Sequence, residues 1–191
     1  SSRFTGSFDG NGYKITGLKI NRTTTNYIGL FGSTQGAIIE NVALEDVDIT
    51  GQNYTGGLVG QANDSSITNS YTTGAVTGKT WHTGGLVGEA ENSSITNSYA
   101  TGRVTGTGIR TGGLVGYANG STITNSYATG SVRGEGSTGG LVGQAIDSTI
   151  LNSYATGSVT GTEISTGGLA GGAGDSTTIT NSYATGSVKG K

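Results

Sequence analysis

The 191-residue sequence contains no cysteine, no proline and no methionine, and it has only one histidine and one tryptophan. Without cysteine, the chain can form neither a disulfide scaffold nor a thiolate zinc site. Charged residues make up 12% and the formal net charge is −2, so there is no basic surface for nucleic acid or anionic lipid. No apolar run approaches the roughly 20 residues that a membrane helix needs. We therefore expect neither nucleic-acid binding nor membrane insertion.

Glycine is the residue in excess, at 38 of 191 positions, against about 7% in average proteins. The glycines are periodic: Gly-Gly-Leu-Val-Gly begins at positions 56, 84, 112 and 139, and Gly-Gly-Leu-Ala-Gly begins at 167. Each copy is followed by Ile-Thr-Asn-Ser-Tyr-Ala-Thr-Gly-x-Val or a close variant. This regularity, together with the low net charge, indicates a repeat fold and argues against disorder.

A period of 27 or 28 residues is shorter than the roughly 40 of a propeller blade, and its residues are poor helix formers. It fits one coil of a parallel β-solenoid, with short strands separated by turns. We predict an all-β, parallel β-solenoid (β-helix) of about seven coils, as a single domain with degenerate coils over 1–51 and regular coils over 52–191. Its first and last residues lie within repeat-like segments, so we expect a segment of a longer protein or a subunit that stacks end to end.

The degenerate segment from Asn41 to Glu45 predicts which side chains face outwards. Val42 and Leu44 are apolar and alternate with Ala43 and Glu45, so the equivalents of Val42 and Leu44 should face the core. In the later coils these inward positions hold a serine and an alanine or threonine. Two columns then face outwards and are the candidate binding residues: Tyr71, Tyr99, Tyr127, Tyr154, Tyr183, and Thr73, Thr101, Thr129, Thr156, Thr185.

The same register is applied to the Gly-Gly segments. It predicts a core ladder of leucines that includes Leu58, Leu86, Leu114, Leu141 and Leu169. Thr55, Gly57 and Val59, with their equivalents in later coils, are expected on the outside. Asn41 and the asparagine of each later repeat should form a ladder at a bend, with amides bonded from coil to coil.

The repeated Gly-Gly-Leu-Val-Gly with the following Ile-Thr-Asn-Ser-Tyr-Ala-Thr-Gly-x-Val resembles the GLUG motif of bacterial surface and secreted proteins. Residues 4–15 are similar to the segment that often precedes such repeats. Similar repeats occur in adhesins and in the non-catalytic N-terminal region of immunoglobulin-A-cleaving zinc peptidases. The resemblance implies an extracellular polypeptide at the bacterial cell surface. The peptidase motif His-Glu-x-x-His is absent, because the single histidine is His82.

Candidate catalytic and metal sites are few. Glu45, Asp46 and Asp48 form the one dense acidic cluster, and we expect a solvated edge there, with no Arg or Lys at equivalent positions of the flanking coils. His82, beside Trp81, is expected to be a loop residue. The segment from Asp9 to Gly12, which includes Asn11, resembles a calcium loop in composition but lacks the other ligands, so a tight turn is favoured. We expect no enzyme activity and no cofactor.

The sequence favours an extracellular structural or adhesive β-solenoid of a bacterial surface protein, without catalysis, that can associate end to end into fibres. Its expected partners are itself, or glycans or proteins of a host or cell surface. One alternative is a solenoid that binds carbohydrate or ice through the outward tyrosine and threonine columns. A second alternative is a glycan-active β-helix enzyme.

Overall fold

The chain forms a parallel β-solenoid of seven coils, seen in a computed structural model that describes residues 2–191. The described residues form 28 strands in three sheets, every strand pair is parallel, and no helix is present among them. Most neighbours in a sheet are equivalent strands of successive coils, as in the pairing of Tyr99 with Tyr71 and Tyr127. The predicted fold class and coil number are confirmed.

The strands follow the coils in order. Coils one and two contain β1 Ser7–Asp9, β2 Lys14–Thr16, β3 Lys19–Asn21, β4 Phe31–Gln35, β5 Ile38–Glu40 and β6 Ala43–Thr55. Coils three and four contain β7 Val59–Asn63, β8 Ser66–Thr68, β9 Tyr71–Gly84, β10 Val87–Glu91, β11 Ser94–Thr96, β12 Tyr99–Ala100, β13 Arg103–Gly106 and β14 Ile109–Gly112.

The last three coils repeat this pattern. Coils five and six contain β15 Val115–Asn119, β16 Thr122–Thr124, β17 Tyr127–Ala128, β18 Val132–Gly134, β19 Thr138–Gly139, β20 Val142–Ile146, β21 Thr149–Leu151, β22 Tyr154–Ala155, β23 Val159–Gly161 and β24 Thr166–Gly167. Coil seven contains β25 Ala170–Gly174, β26 Thr178–Thr180, β27 Tyr183–Ala184 and β28 Val188–Lys189.

The three sheets are named by the side chains that recur in them. The Val sheet has six strands: β4, β7, β10, β15, β20 and β25. The Ile sheet has seven: β1, β5, β8, β11, β16, β21 and β26. The remaining 15 strands form the Tyr sheet, which carries the predicted tyrosine column. Thr73 lies in this sheet, and the other outward threonines directly follow its Tyr-Ala strands.

The core is a thin cylinder built from columns of identical side chains. In the central coils these are 0% exposed: Ile67, Ile95, Ile123, Ile150, Leu58, Leu86, Leu114, Leu141, Val59, Val87, Val115, Val142, Ala62, Ala90, Ala118 and Ala145. The predicted leucine ladder is confirmed, although Leu169 in coil seven is only partly buried. Because each coil covers the next, few apolar residues per coil suffice to form a continuous core.

Serine side chains that face inwards connect the coils through the backbone. The hydroxyl of Ser98 accepts a hydrogen bond from the backbone N–H of Ser70 at 3.1 Å and donates one to the carbonyl of Thr96 at 2.8 Å. The same pair of bonds recurs at Ser126 and Ser153. The inward register predicted for these positions is therefore confirmed, and it explains why a polar residue recurs in the core.

The structure contradicts the prediction for the row of Thr55 and Val59, which was expected outside. Thr55 and Val59 are both 0% exposed, and their equivalents in the central coils are buried as well. The chain bends at Gly57 and Leu58 between two sheets, so the alternation of inward and outward side chains is interrupted there. Leu58 and Val59 can therefore point inwards in succession.

Candidate functional site

The outward tyrosines form a stacked column along the Tyr sheet. Ring centroids of successive residues from Tyr71 to Tyr183 lie 4.7, 4.7, 4.9 and 5.2 Å apart, with interplanar angles of 3° to 6°. The rings of Tyr99, Tyr127 and Tyr154 are therefore covered on both faces, and they show only their edges to solvent. Burial and the neighbouring phenols raise the pKa of Tyr127 above its ordinary value.

The outward threonines run beside this column. Thr101, Thr129, Thr156 and Thr185 are exposed, and Thr73 is half-buried. The hydroxyl of Thr73 accepts a hydrogen bond from the backbone N–H of Asp46 at 2.9 Å. The outward register predicted for both columns agrees with the structure, and their use in binding stays a prediction.

The asparagine column lies at the bend that precedes the tyrosines. Asn69, Asn97 and Asn125 adopt positive φ of 49°, 51° and 50°, a left-handed conformation that asparagine tolerates better than most residues. The amide of Asn97 donates to the side-chain oxygen of Asn69 at 3.3 Å, and Asn152 donates to Asn125 at 3.2 Å. The column is an asparagine ladder at a bend, as predicted.

The acidic cluster is more tightly paired than the sequence suggested. The ammonium of Lys14 lies 2.8 Å from Glu45 and that of Lys19 lies 3.7 Å from Asp48, so the expectation of no basic neighbour was wrong. The reason is that coils one and two pair at an offset of 29 residues in the Tyr sheet, as in Lys19 and Asp48. The 28-residue spacing of the regular repeats misses this pairing.

Glu45 also binds the first tyrosine of the column. The hydroxyl of Tyr71 donates a hydrogen bond to Glu45 Oε1 at 2.7 Å. The hydrogen bonds from Lys14 and Tyr71 lower the pKa of Glu45, and the bond to Glu45 raises the pKa of Tyr71. The three groups form a connected, charge-balanced set at one end of the tyrosine column.

The segment from Asp9 to Gly12 is a turn. Asp9 Oδ1 accepts hydrogen bonds from the backbone N–H of Asn11 at 2.8 Å and from the amide of Asn41 at 2.9 Å. The bond from Asn41, followed by that from Asn11, lowers the pKa of Asp9. Among residues 2–191, no three His, Asp or Glu side chains come close enough to hold a metal ion together.

His82 is not a loop residue, which contradicts the sequence-based expectation. It lies in β9 and is 5% exposed, and its Nδ1 contacts the carboxylate of Glu89, which is 8% exposed. Gln61 donates to the same carboxylate at 3.0 Å, and Arg110 donates to His82 Nε2 at 2.7 Å. The corner between the Tyr and Val sheets therefore contains a buried polar network that the sequence reasoning missed.

Aromatic side chains enclose this network. The Tyr54 ring meets His82 edge-on at 5.2 Å and stacks on Tyr27 at 4.9 Å. The guanidinium of Arg110 lies 4.2 Å from the centre of the Tyr117 ring, at cation–π distance. The network fills the corner and joins neighbouring coils.

A family model described as the GLUG motif matches residues 51–77, 80–105, 107–133, 134–160 and 162–189. Together the matches cover more than half of the chain, and each includes one Gly-Gly corner and one tyrosine of the column. The chain belongs to the GLUG-motif family. In these GLUG repeats, the recurring Leu, Asn, Ser and Tyr are the residues that contact their equivalents in the adjoining coils.

Two curated relatives share part of the GLUG repeats. Halomucin from Haloquadratum walsbyi is 43% identical over 76 residues, which is 39% of this chain and 1% of halomucin. A candidate Gly-rich membrane protein from Evansella cellulosilytica is 49% identical over 55 residues, which is 29% of this chain and 6% of that protein. This chain therefore corresponds to a small part of the curated relatives that it matches.

Two solved structures resemble the GLUG solenoid over nearly its whole length. A candidate immunoglobulin A1 protease from Bacteroides ovatus gives a TM-score of 0.75 at 24% identity, over 96% of this chain and 61% of that one, and shows the fold alone. A structure described as IgA1 protease gives 0.68 at 27% identity, over 100% of this chain and 17% of that one. Within residues 2–191 the structure has no helix long and apolar enough to cross a bilayer.

Proposed function

We propose that the chain is part of an extracellular protein of the bacterial surface, where it acts as a structural or adhesive rod without catalysis. This proposal rests on the observation that the residues recurring in each repeat contact their equivalents in the adjoining coils. Tyr99 stacks on Tyr71 and Tyr127, and Asn97 bonds to Asn69. A repeat that stabilises its neighbours in this way can be extended coil by coil, which is what a stalk requires.

The relatives support the surface location. One curated relative is described as a membrane protein and the other as halomucin, and both match within the GLUG repeats. Both are far longer than the matched stretch, as expected if the repeats form one module of a large polypeptide. The structural neighbours are described as immunoglobulin A1 proteases, and the solenoid fold covers 61% and 17% of their chains, which suits a supporting module.

Antibody labelling of intact cells tests the location. Antibodies against the 191-residue chain should label producing cells before permeabilisation, and labelling only after permeabilisation would contradict the proposal.

In-frame deletion of the repeats tests the proposed structural or adhesive role. Cells should keep the parent protein but adhere less well or display its other domains closer to the wall.

The proposed partners include further β-structure stacked on coil seven. This coil exposes Ile179 at 40%, Tyr183 at 54% and Val188 at 47%, whereas the equivalent Tyr154 is half-buried and Ile150 and Val159 are buried. A longer parent chain or a second copy would cover this edge. Sedimentation velocity over a range of concentrations should show reversible association of the isolated chain, and a strictly monomeric chain would contradict the second-copy form.

The alternatives predict different measurements. Ice binding through Thr101, Thr129 and their equivalents predicts thermal hysteresis that is lost when these exposed threonines are replaced. A glycan-active enzyme predicts release of reducing ends that falls in Glu45→Gln or Asp48→Asn. We expect neither effect, because Glu45 is held by Lys14 and Tyr71 and the threonines form a single file.

A further inference from the structure

The tyrosine column stops two coils short of the start of the Tyr sheet. In coil two the position in register with Tyr71 is Ala43, and in coil one it is Lys14. The ring of Tyr71 is stacked on Tyr99 at one face, but the methyl group of Ala43 is too small to cover its other face. Tyr71 therefore differs from Tyr99 and Tyr127, which are covered on both faces.

A groove of about 510 Å³ opens at this missing ring. Tyr71 and Ala43 line it, Lys14 and Asn11 border it from coil one, and the amides of Asn41 and Asn69 complete it. Its volume lies within the roughly 300–1,000 Å³ of small-molecule sites. The groove thus combines one aromatic face with several amide groups.

The charges beside the groove are balanced. The ammonium of Lys14 is paired with Glu45, whose carboxylate also accepts the hydrogen bond of Tyr71. The carboxylate of Asp9 accepts a hydrogen bond from the amide of Asn41 in the next coil. Neither an anionic nor a strongly cationic ligand finds an unpaired counter-charge here, and the exposed amide of Asn11 suits hydroxyl groups.

We propose that this groove binds a neutral pyranose ring of a glycan, stacked on the free face of Tyr71. The face of a phenol ring carries partial negative charge, and the C–H groups on one side of a pyranose carry partial positive charge. The hydroxyls around the sugar edge pair with the amides of Asn11 and Asn69. This site is independent of the proposed structural role of the chain, because the solenoid folds whether or not a ligand occupies the groove.

Titrations with labelled tyrosine test the site directly. Protein labelled with ¹³C in its tyrosine rings is titrated with cellohexaose, with mannohexaose and with an acidic comparison, a hexamer of galacturonic acid. The Tyr71 resonances should shift saturably with at least one neutral oligosaccharide, while those of Tyr127 stay in place. Preference for the acidic hexamer, or no shift of Tyr71 with either neutral probe, would overturn the proposal.

Ala43→Tyr is the sharpest variant, because it supplies the missing ring. It should weaken the binding of the oligosaccharide by about tenfold or more while raising the melting temperature. Tyr127→Ala is the matched control, since it removes a ring from the column and leaves the groove intact, so binding should persist. Unchanged binding by folded Ala43→Tyr would refute the site.

A second variant lies on the exposed turn and does not touch the column. Asn11→Gly removes the amide at a residue with φ of 48°, which glycine adopts readily. Affinity should fall by about threefold to tenfold, as for loss of one hydrogen bond, with the melting temperature little changed. Full affinity in Asn11→Gly would contradict the proposed role of the amide, whether or not Ala43→Tyr folds.

Discussion

His82 donates a hydrogen bond from Nδ1 to the carboxylate of Glu89, with both side chains buried at the corner between two sheets. The direction of this bond follows from Arg110, whose guanidinium can only donate and lies 2.7 Å from His82 Nε2. Arg110 also donates to Gln144, so the network ties coil three to coil six.

Glu89→Gln should lower the free energy of unfolding at neutral pH. It should also make that free energy less sensitive to a fall in pH. Burial alone would raise the pKa of Glu89, but the hydrogen bonds of His82 and Gln61 and the positive charge of Arg110 outweigh it and hold the pKa below its ordinary 4.5. The unfolded chain thus takes up this proton first as pH falls. The contribution of Glu89 is complete above pH 4.5 and is lost as pH drops through the folded value.

Urea unfolding at neutral pH and at several values below 4.5 measures this contribution. Glu89→Gln should cost about 2 kcal/mol at neutral pH, and its difference from the parent protein should shrink with acid. Glu91→Gln is the control, because Glu91 lies on the same strand and is only partly buried. A constant difference at all pH values would show that the charge of Glu89 makes no contribution.

The tyrosine column should contribute to stability in proportion to the faces that are stacked. Tyr127→Ala loses the contacts with Tyr99 and Tyr154, whereas Tyr183→Ala loses only the contact with Tyr154. At about 0.5–1.5 kcal/mol per aromatic pair, the first change should cost about twice as much as the second. Chemical unfolding of both variants measures the ratio, and equal losses would show that stacking is a minor term.

The asparagine at the bend should be needed more for its backbone conformation than for its side chain. Asn125 has a φ of 50°, where alanine is strained by about 1–2 kcal/mol and glycine is not. Asn125→Ala and Asn125→Gly both remove the amide that accepts from Asn152. The alanine variant should unfold at the lower urea concentration, and a lower midpoint for the glycine variant would assign the larger role to the amide.

Much of the fold follows from the sequence, because identical residues at a fixed period must form columns in a stack of coils. The leucine, asparagine and tyrosine columns were predictable for this reason, and so was the outward register of Tyr71. The row of Thr55 and Val59 was not, because a bend at Gly57 cancels the alternation on which the prediction rests. A pattern along one strand does not reveal how a corner turns.

The contacts of His82 were missed for a related reason. Glu89 is seven residues away and belongs to another sheet, so only the geometry of the corner brings the two together. A signal did exist. Glu89, Gln61 and Gln144 occupy one column of the Val sheet, and polar residues that recur beside a Gly-Gly corner could have been paired with His82 and Arg110.

The second glycine of the first four Gly-Gly pairs should be irreplaceable, because the solenoid has no space beside it. A Cβ on Gly113 would overlap the carbonyl oxygen of Gly140 and lie 2.8 Å from the Cβ of Ala128. Both neighbours belong to the packed interior, and neither can withdraw without moving a coil. Gly113→Ala should therefore cost more than about 4 kcal/mol or prevent folding altogether.

Gly174→Ala is the matched control for this substitution. A Cβ at Gly174 would have only Ile146 Cγ1 near it, at 4.0 Å, and its backbone is not left-handed. Alanine restricts the unfolded chain there without a clash, so stability should stay level or rise by about 0.4–1 kcal/mol. Thermal melts followed by circular dichroism compare the melting temperatures of the two variants with that of the parent protein. If Gly113→Ala melts within a few degrees of the parent protein, the interior is looser than the stacked columns imply, and the glycines recur for another reason.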